Sequence, residues 1–196
     1  MPGEETLTRR RLIALGLALP VPLVLAGDAL GELVAATPAC GDDPSPEQTE
    51  GPFFTPSSPR RRNLVTAGLT GRRLTVTGRV LTTSCKPAPR ALLDFWQADA
   101  RGVYDNEGYR LRGHQLADAQ GRFRHDTVVP GLYTGRTRHI HVKVQAPGEP
   151  VLTTQLYFPG EPRNATDGIF DPALLVSLRK GRARWTARFD FVLDVR

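Results

Sequence analysis

Two cysteines, one methionine and no long apolar run set the first limits on this 196-residue chain. Cys40 and Cys85 allow a single intramolecular disulfide and nothing denser. The longest apolar stretch, Leu12 to Ala26, is interrupted by Pro20 and Pro22. A bilayer span needs about 20 apolar residues, so this stretch excludes stable membrane insertion. No internal repeat or low-complexity block is present. Although the formal charge is +6, the arginines are scattered and lack interleaved aromatics, which argues against nucleic acid. A cationic surface that attracts carboxylated or polyanionic material is the milder reading.

Helix signals are scarce as well. The one segment that reads as a helix is Pro172 to Leu178, with Asp171 as its N-cap and Pro172 at its first position. What the chain has instead is 19 glycines and 17 prolines, a turn-rich composition. These separate short apolar or alternating runs, namely Leu74–Val80, Ala91–Trp96, Gly121–His125, His139–Val144, Val151–Phe158 and Ala187–Val195. Six strands with almost no helix predict a mainly β fold, an antiparallel β-sandwich with few short helices.

Three regions follow. Residues 1–36 carry Thr8-Arg9-Arg10-Arg11 ahead of the apolar run, and small residues follow it. This pattern is expected of an export signal of the twin-arginine type, placing the protein in the cell envelope or outside the cell. Such a compartment is oxidising, which favours a Cys40–Cys85 bridge; a second reading makes Cys40 the lipidated first residue. Residues 37–63, rich in Pro, Ser and charge but carrying Phe53-Phe54, are expected to form an extended arm. Residues 64–196 are expected to form the sandwich.

The chemistry concentrates around His139-Ile140-His141. In a strand, residues i and i+2 share one face, so two imidazoles stand at a fixed separation. Tyr133 and Arg136 lie within six residues upstream, and Tyr104 lies beyond the Ala91–Trp96 strand. Both tyrosines fall in loops at strand ends, where sites usually form. Singly each residue has a bland explanation in packing or solvation. Together, two phenols, two imidazoles and a guanidinium look like a metal site. His114, in an expected loop, reads as solvated, and His125, in a strand, as a surface or edge residue. Asp94, Asp99 and Asp105 read as solvated loop acids, Trp96 as core, and Tyr109 and Tyr157 as spare phenols, Tyr157 a packing one.

Five segments in order carry a family resemblance: Pro44-Ser45-Pro46-Glu47-Gln48-Thr49-Glu50-Gly51-Pro52-Phe53-Phe54, Phe95-Trp96-Gln97-Ala98 leading to Tyr104, Pro130-Gly131-Leu132-Tyr133, His139-Ile140-His141, and Thr154-Gln155-Leu156-Tyr157-Phe158. Together they resemble the intradiol ring-cleavage dioxygenases. That resemblance implies a non-haem Fe(III) held by Tyr104, Tyr133, His139 and His141, with Tyr133 and His141 axial. It implies Arg136 and Gln155 facing the substrate, and a reaction in which O2 opens a catechol-type ring between its two hydroxyl-bearing carbons, giving a muconate-type dicarboxylate.

Charge balance suits this donor set. Two phenolates and one hydroxide neutralise a ferric ion, whose charge lowers a phenol far below its usual pKa. A catecholate dianion can replace the hydroxide and one phenolate without changing the net charge, and Tyr133 on its glycine-flanked turn is the residue expected to yield. Five residues separate Tyr133 from His139, a loop shorter than in catechol and protocatechuate enzymes, so the pocket wall is expected to differ. The N-terminal helical segment with which catechol-cleaving members dimerise is also missing, which leaves an oligomer of another kind open. Two rivals stand beside this reading. A non-catalytic secreted β-sandwich binding module explains the strands but not the phenol–imidazole set. A cupin-like metalloenzyme wants a glutamate soon after His141, where Val142-Lys143-Val144-Gln145 offers none.

Overall fold

The structure, a computed structural model, describes residues 43–195. The expected export signal, Cys40 and the first residues of the arm lie outside this range. Among the described residues the chain forms β1 (Arg73–Thr82), β2 (Leu92–Trp96), β3 (Arg112–Leu116), β4 (Arg122–Val128), β5 (His139–Gln145), β6 (Leu152–Tyr157), β7 (Ser177–Lys180), β8 (Arg184–Arg188) and β9 (Phe191–Leu193). They make two sheets. One is antiparallel with order β3-β2-β5-β6; the other runs β4-β1-β8-β7, with β9 on the far half of β1. The fold is mainly β and a sandwich.

The second sheet departs from the purely antiparallel expectation, because β1 pairs in parallel with both β8 and β9. The single strand expected over Ala187–Val195 is therefore two strands. The break passes Gly78, where a Cβ would fall 1.6 Å from the Phe189 carbonyl oxygen, so only glycine admits the crossing. β3 and β7 had no counterpart among the six expected strands.

Alternation explains the core. Leu93 and Phe95 of β2 and Ile140, Val142 and Val144 of β5 face Leu74, Val76, Phe123 and Phe191 across the sandwich, all buried. Burying each such side chain contributes on the order of 1.5–3 kcal/mol. His125 belongs to this core as well. It is 0% exposed and its ring stacks on Phe95 at 4.1 Å, which corrects the surface reading. Burial pushes its pKa down to about 3, so the imidazole is neutral.

The helix expected over Pro172–Leu178 is also corrected. Its start signal is real, since the Asp171 carboxylate accepts from the Ala173 N–H at 2.9 Å. Only one 3₁₀ turn forms, Pro172–Leu174. Val176 then donates its N–H to the Tyr157 carbonyl, and Ser177 opens β7. Pairing with strand edges has overridden a three-residue nucleus.

Residues 43–63 form no strand, yet they are tied down along their length. Gln48 N–H donates to the Thr153 carbonyl at 2.8 Å, and Ser45 N–H to that of Val192 at 2.9 Å. Phe54 packs edge-on against Trp96 and lies beneath the Lys143 ammonium, which also pairs with Glu50. Further on, residues 59–64 strap the two sheets together. Arg61 N–H bonds to His114 of β3, and Leu64 N–H to Asp126 of β4. The arm thus covers the outer face of the β3-β2-β5-β6 sheet, the face that holds the histidines. Cys85, in the turn after β1, is disulfide-bonded.

Candidate metal centre

Cross-strand register builds the site. His141 of β5 stands opposite Trp96 on one side and Gln155 on the other, while His139 stands opposite Tyr157. Because Ile140, Val142 and Val144 point into the core, all of these polar side chains share the outer face, beneath the arm. Trp96, expected as core, is fully buried but stacks flat on the His141 ring at 4.9 Å and 9°. Gly51 of the arm sits so close that a Cβ there would touch His141 Cε1 at 3.4 Å.

Two loops bring the phenols. Tyr104 follows a tight turn organised by Asp99, whose carboxylate accepts from the Arg101 and Val103 N–H groups at 2.8 and 3.1 Å. Asp99 is therefore a buried turn organiser rather than a solvated acid. Its carbonyl also accepts from Gly131 N–H at 2.7 Å, docking the loop of Tyr133 onto that of Tyr104. The approach is backbone to backbone: a Cβ on Gly102 would lie 2.2 Å from the Leu132 carbonyl oxygen. Both glycines are needed for the two tyrosine loops to meet.

The donor atoms converge. Tyr104 Oη lies 3.1 Å from His139 Nε2, which lies 3.1 Å from His141 Nε2. Tyr133 stands beside them, its ring 5.8 Å from that of Tyr104 and 5.1 Å from Phe53. Burial lowers His139 to about 4 and His141 well below the usual imidazole range, and it raises the Tyr104 phenol. Without a cation, then, both imidazoles are neutral and Tyr104 is protonated.

The tautomers sharpen this. His139 Nδ1 faces the Thr137 carbonyl at 2.7 Å, and a carbonyl can only accept, so Nδ1 carries the proton and Nε2 a bare lone pair. The other nitrogen of His141, Nδ1, is buried without a partner. Two neighbouring imidazole nitrogens and a phenol thus enclose one point, an arrangement that a cation resolves. Among the described residues no group of three or more His, Cys, Asp or Glu side chains gathers. A metal held here must therefore draw on tyrosine oxygen. Hard phenolate oxygen with imidazole nitrogen suits ferric iron, so the residues present fit that ion.

Arg136 and Gln155 meet at the same place. Arg136 Nη2 donates to Gln155 Oε1 at 2.7 Å, and Nε to Asp167 Oδ2 at 2.9 Å. Gln155 Nε2 donates to the Thr49 carbonyl of the arm at 2.9 Å. Tyr157, expected only to pack, also places its hydroxyl 3.1 Å from Gln155 Oε1, and burial raises that phenol to about 12.

Asp167 had no signal in the sequence. It is almost fully buried, and its Oδ2 also accepts from Thr137 N–H at 2.9 Å. One carboxylate therefore holds both the Arg136 guanidinium and Thr137, the residue whose carbonyl orients His139. Burial works to raise its pKa, but the Thr137 N–H, Arg136 and the Ile169 N–H outweigh it and hold the carboxyl below its ordinary value. His114 and Asp94 are corrected too. They lie on adjacent strands and share the Ser58 hydroxyl, at 3.2 and 2.7 Å, so both are structural anchors of the arm. Asp105 likewise holds its loop, accepting from Gly108 and Arg110 N–H groups.

A family model described as a dioxygenase matches residues 49–195. Of solved structures, the dioxygenase domain of a dioxygenase–carbohydrate-binding fusion from Streptomyces sp. SirexAA-E is 60% identical, with a TM-score of 0.77 over 79% of this chain and 100% of that one. The 3-chlorocatechol 1,2-dioxygenase of Rhodococcus opacus 1CP is 31% identical, with a TM-score of 0.72 over 78% of this chain and 73% of that one. The protocatechuate 3,4-dioxygenase beta chain of Burkholderia cepacia is 37% identical over 119 residues, 51% of this chain and 50% of that protein. The chain spans about half the length of the curated relatives it matches.

Proposed function

Since the chain belongs to the intradiol ring-cleavage dioxygenase family, whose members use non-haem iron, we propose that it holds Fe(III) through Tyr104, Tyr133, His139 and His141. With that ion it cleaves a catechol-type ring between the two hydroxyl-bearing carbons, using O2, to a muconate-type dicarboxylate. The observation that carries this reading is the meeting at His139 Nε2 of Tyr104 Oη and His141 Nε2, each 3.1 Å from it.

Bound iron would supply a Lewis acid that orients the catecholate and tunes its electron density for O2. The chain's own residues do the rest. Tyr133, on a turn that is only half-buried, would be the holding residue best placed to yield to substrate, with its Oη as the site that accepts a catechol proton. Arg136, held by Asp167, presents a fixed positive charge to the negative charge that develops on the opening ring. Gln155, braced by Thr49, fixes the guanidinium from the other side. Phe53, Phe54 and Trp96 keep water from the histidines. Because burial keeps both imidazoles neutral, they are ready as ligands at neutral pH without losing a proton.

The experiment is oxygen uptake by the iron-loaded protein against catechol, protocatechuate and hydroxyquinol, with mass analysis of products. One O2 consumed per ring and a product heavier by both oxygen atoms is the expected result. No uptake with any of the three by protein carrying stoichiometric iron would overturn it. Export rests on residues 1–36 alone. Fusing them to a folded reporter should carry it across the cytoplasmic membrane, and changing Arg9, Arg10 and Arg11 to Lys should stop it.

A further inference from the structure

The outer face of the second sheet carries a chemistry the proposed reaction does not use. Leu74, Val76, Phe123 and Ala187 fill the core, so alternation turns their neighbours outward. β4 presents Arg122 and Arg124, and β1 presents Arg73 and Arg79. β8 adds Arg184 and Arg188, and β7 adds Arg179. Register sets Arg79 directly opposite Arg122 and Arg73 directly opposite Arg184. Like charges so placed repel each other, a cost that a bound anion would remove. Thr77, Thr186 and Ser177 occupy the places between, whereas Thr75 is buried and its hydroxyl donates to Asp126 at 2.6 Å.

Three carboxylates answer these seven arginines. Asp118 pairs with Arg122 at 2.7 Å, Asp126 with Arg124 at 2.8 Å and more distantly with Arg184, and Asp190 with Arg188 at 2.7 Å. Among the described residues the guanidinium groups of Arg73, Arg79 and Arg179 pair with no acid, although Arg73 donates to the Leu69 carbonyl and the Arg79 backbone N–H to Asp190. A depression lies at each side of the face. One, of about 290 Å³, is lined by Thr77, Ser177, Arg179, Thr186 and Arg188. The other, of about 420 Å³, lies at the β4 edge, where Arg60, Arg61 and Arg62 of the arm join Arg122 and Arg124. Arg61 is spent on the carbonyls of Tyr109 and Arg112, whereas Arg60 and Arg62 are exposed and free of acids.

We propose that this face is a docking platform for a carboxylated polysaccharide. Its carboxylates pair with the guanidinium forks, which match that group two bonds at a time. Its hydroxyls meet the threonine and serine rows. The extent suits a polymer, since four strands span roughly 14 Å and Arg73 to Arg79 roughly 20 Å. Other polyanions fit less well. The large exposed apolar side chains, Val103, Tyr109, Leu132, Val151 and Ile169, all lie on other parts of the molecule. Among the described residues the face therefore offers no exposed aromatic side chain like these for a single-stranded base to stack on, Phe123 in the β4-edge depression being buried, and nothing to insert into a lipid surface. Among the described residues it has no projecting helix or ribbon to enter a duplex groove. It is also the sheet face opposite the phenol–imidazole centre, so a polymer held here leaves that centre open.

The test is affinity electrophoresis of the full chain in gels containing sodium polygalacturonate, its fully methyl-esterified form, or random-sequence duplex DNA, at 50 and 300 mM salt. Strong retardation by polygalacturonate at low salt is expected, with little by the ester and weaker retardation by DNA. Arg79→Gln/Arg179→Gln/Arg188→Gln should weaken polygalacturonate binding at least tenfold, and Arg79→Gln alone two- to fivefold. Lys86→Gln/Arg90→Gln, which removes the same kind of charge elsewhere, should change it less than twofold. Equal loss in that control, an unaltered triple variant, or tighter binding of DNA than of polygalacturonate would overturn the proposal.

Discussion

Across the four strands of the first sheet, the outward row Arg112–Trp96–His141–Gln155 is completely buried. Across the four strands of the second, the outward row Arg124–Thr77–Arg188–Ser177 is open to water. The two rows have the same geometry and comparably polar composition, so secondary structure does not separate them. The arm does. By covering one face it removes water from His139, His141 and Tyr104, and desolvation shifts their protonation equilibria. The bare face keeps its arginines hydrated, paired at most with surface aspartates, and such pairs contribute little to stability. A desolvated phenol–imidazole cluster thus arises on an ordinary strand face because a polar segment with two phenylalanines lies over it.

The comparison breaks most visibly if the covered face is stripped of one donor. Tyr104→Phe keeps the ring that stacks on Phe53 at 4.3 Å but removes the oxygen. Catechol turnover should fall by more than about 100-fold with the fold intact, as oxygen uptake and circular dichroism will report. Asp167→Asn comes next. It keeps the shape but drops the charge that fixes Arg136, so kcat should fall about 10- to 100-fold with a smaller change in KM. Equal effects on both constants would mean that Asp167 serves the fold alone.

The cover itself is tested by Phe54→Ala, which removes the contact with Trp96 and Lys143. A half-buried phenylalanine should cost about 2 kcal/mol in urea unfolding, and the visible spectrum of the iron-loaded protein should become more sensitive to small anions. A pH prediction follows from the core. His125 has a folded pKa of about 3 against 6.5 unfolded. Below pH 6.5 the unfolded chain binds a proton that the folded one refuses, so stability is fully present above 6.5 and is lost as pH falls. The slope should reach about 1.4 kcal/mol per pH unit. His125→Phe, which retains the stack on Phe95, should flatten urea stability between pH 6.5 and 4.5; an unchanged slope would assign the acid sensitivity elsewhere. The smallest effect belongs to the bare face. Arg79→Gln should alter stability by less than about 0.5 kcal/mol, and turnover should stay within twofold.

How far the sequence anticipated these faces depends on how local the signal was. Strand alternation placed His139 and His141 together, because a two-residue period needs no tertiary knowledge. The same rule puts His125 inside, since Arg122 and Arg124 flank Phe123 on the outward side; the polarity of histidine masks its register. Tyr104, Tyr133, Arg136 and Gln155 came from ordered segments resembling a family, and the structure brings them to one volume. Asp167 was invisible. It lies 31 residues beyond Arg136, in a loop without periodicity, and only the folded path of the chain brings it there. β7 was hidden behind a genuine helix start at Asp171-Pro172, because pairing with Tyr157 and β8 is a non-local contact that outweighed it. The arginine face was legible as charge but not as a face, since its seven side chains come from four strands.

The central claim is that the covered face is a tyrosine–histidine iron centre. Its most direct test is the visible spectrum of the purified protein after anaerobic loading with iron, oxidation and addition of catechol. The account predicts one iron per chain, a red-brown tyrosinate-to-Fe(III) band that catechol shifts, and loss of most of that band in Tyr104→Phe. A protein that stays colourless and iron-free after loading, or a band that Tyr104→Phe leaves untouched, would contradict it.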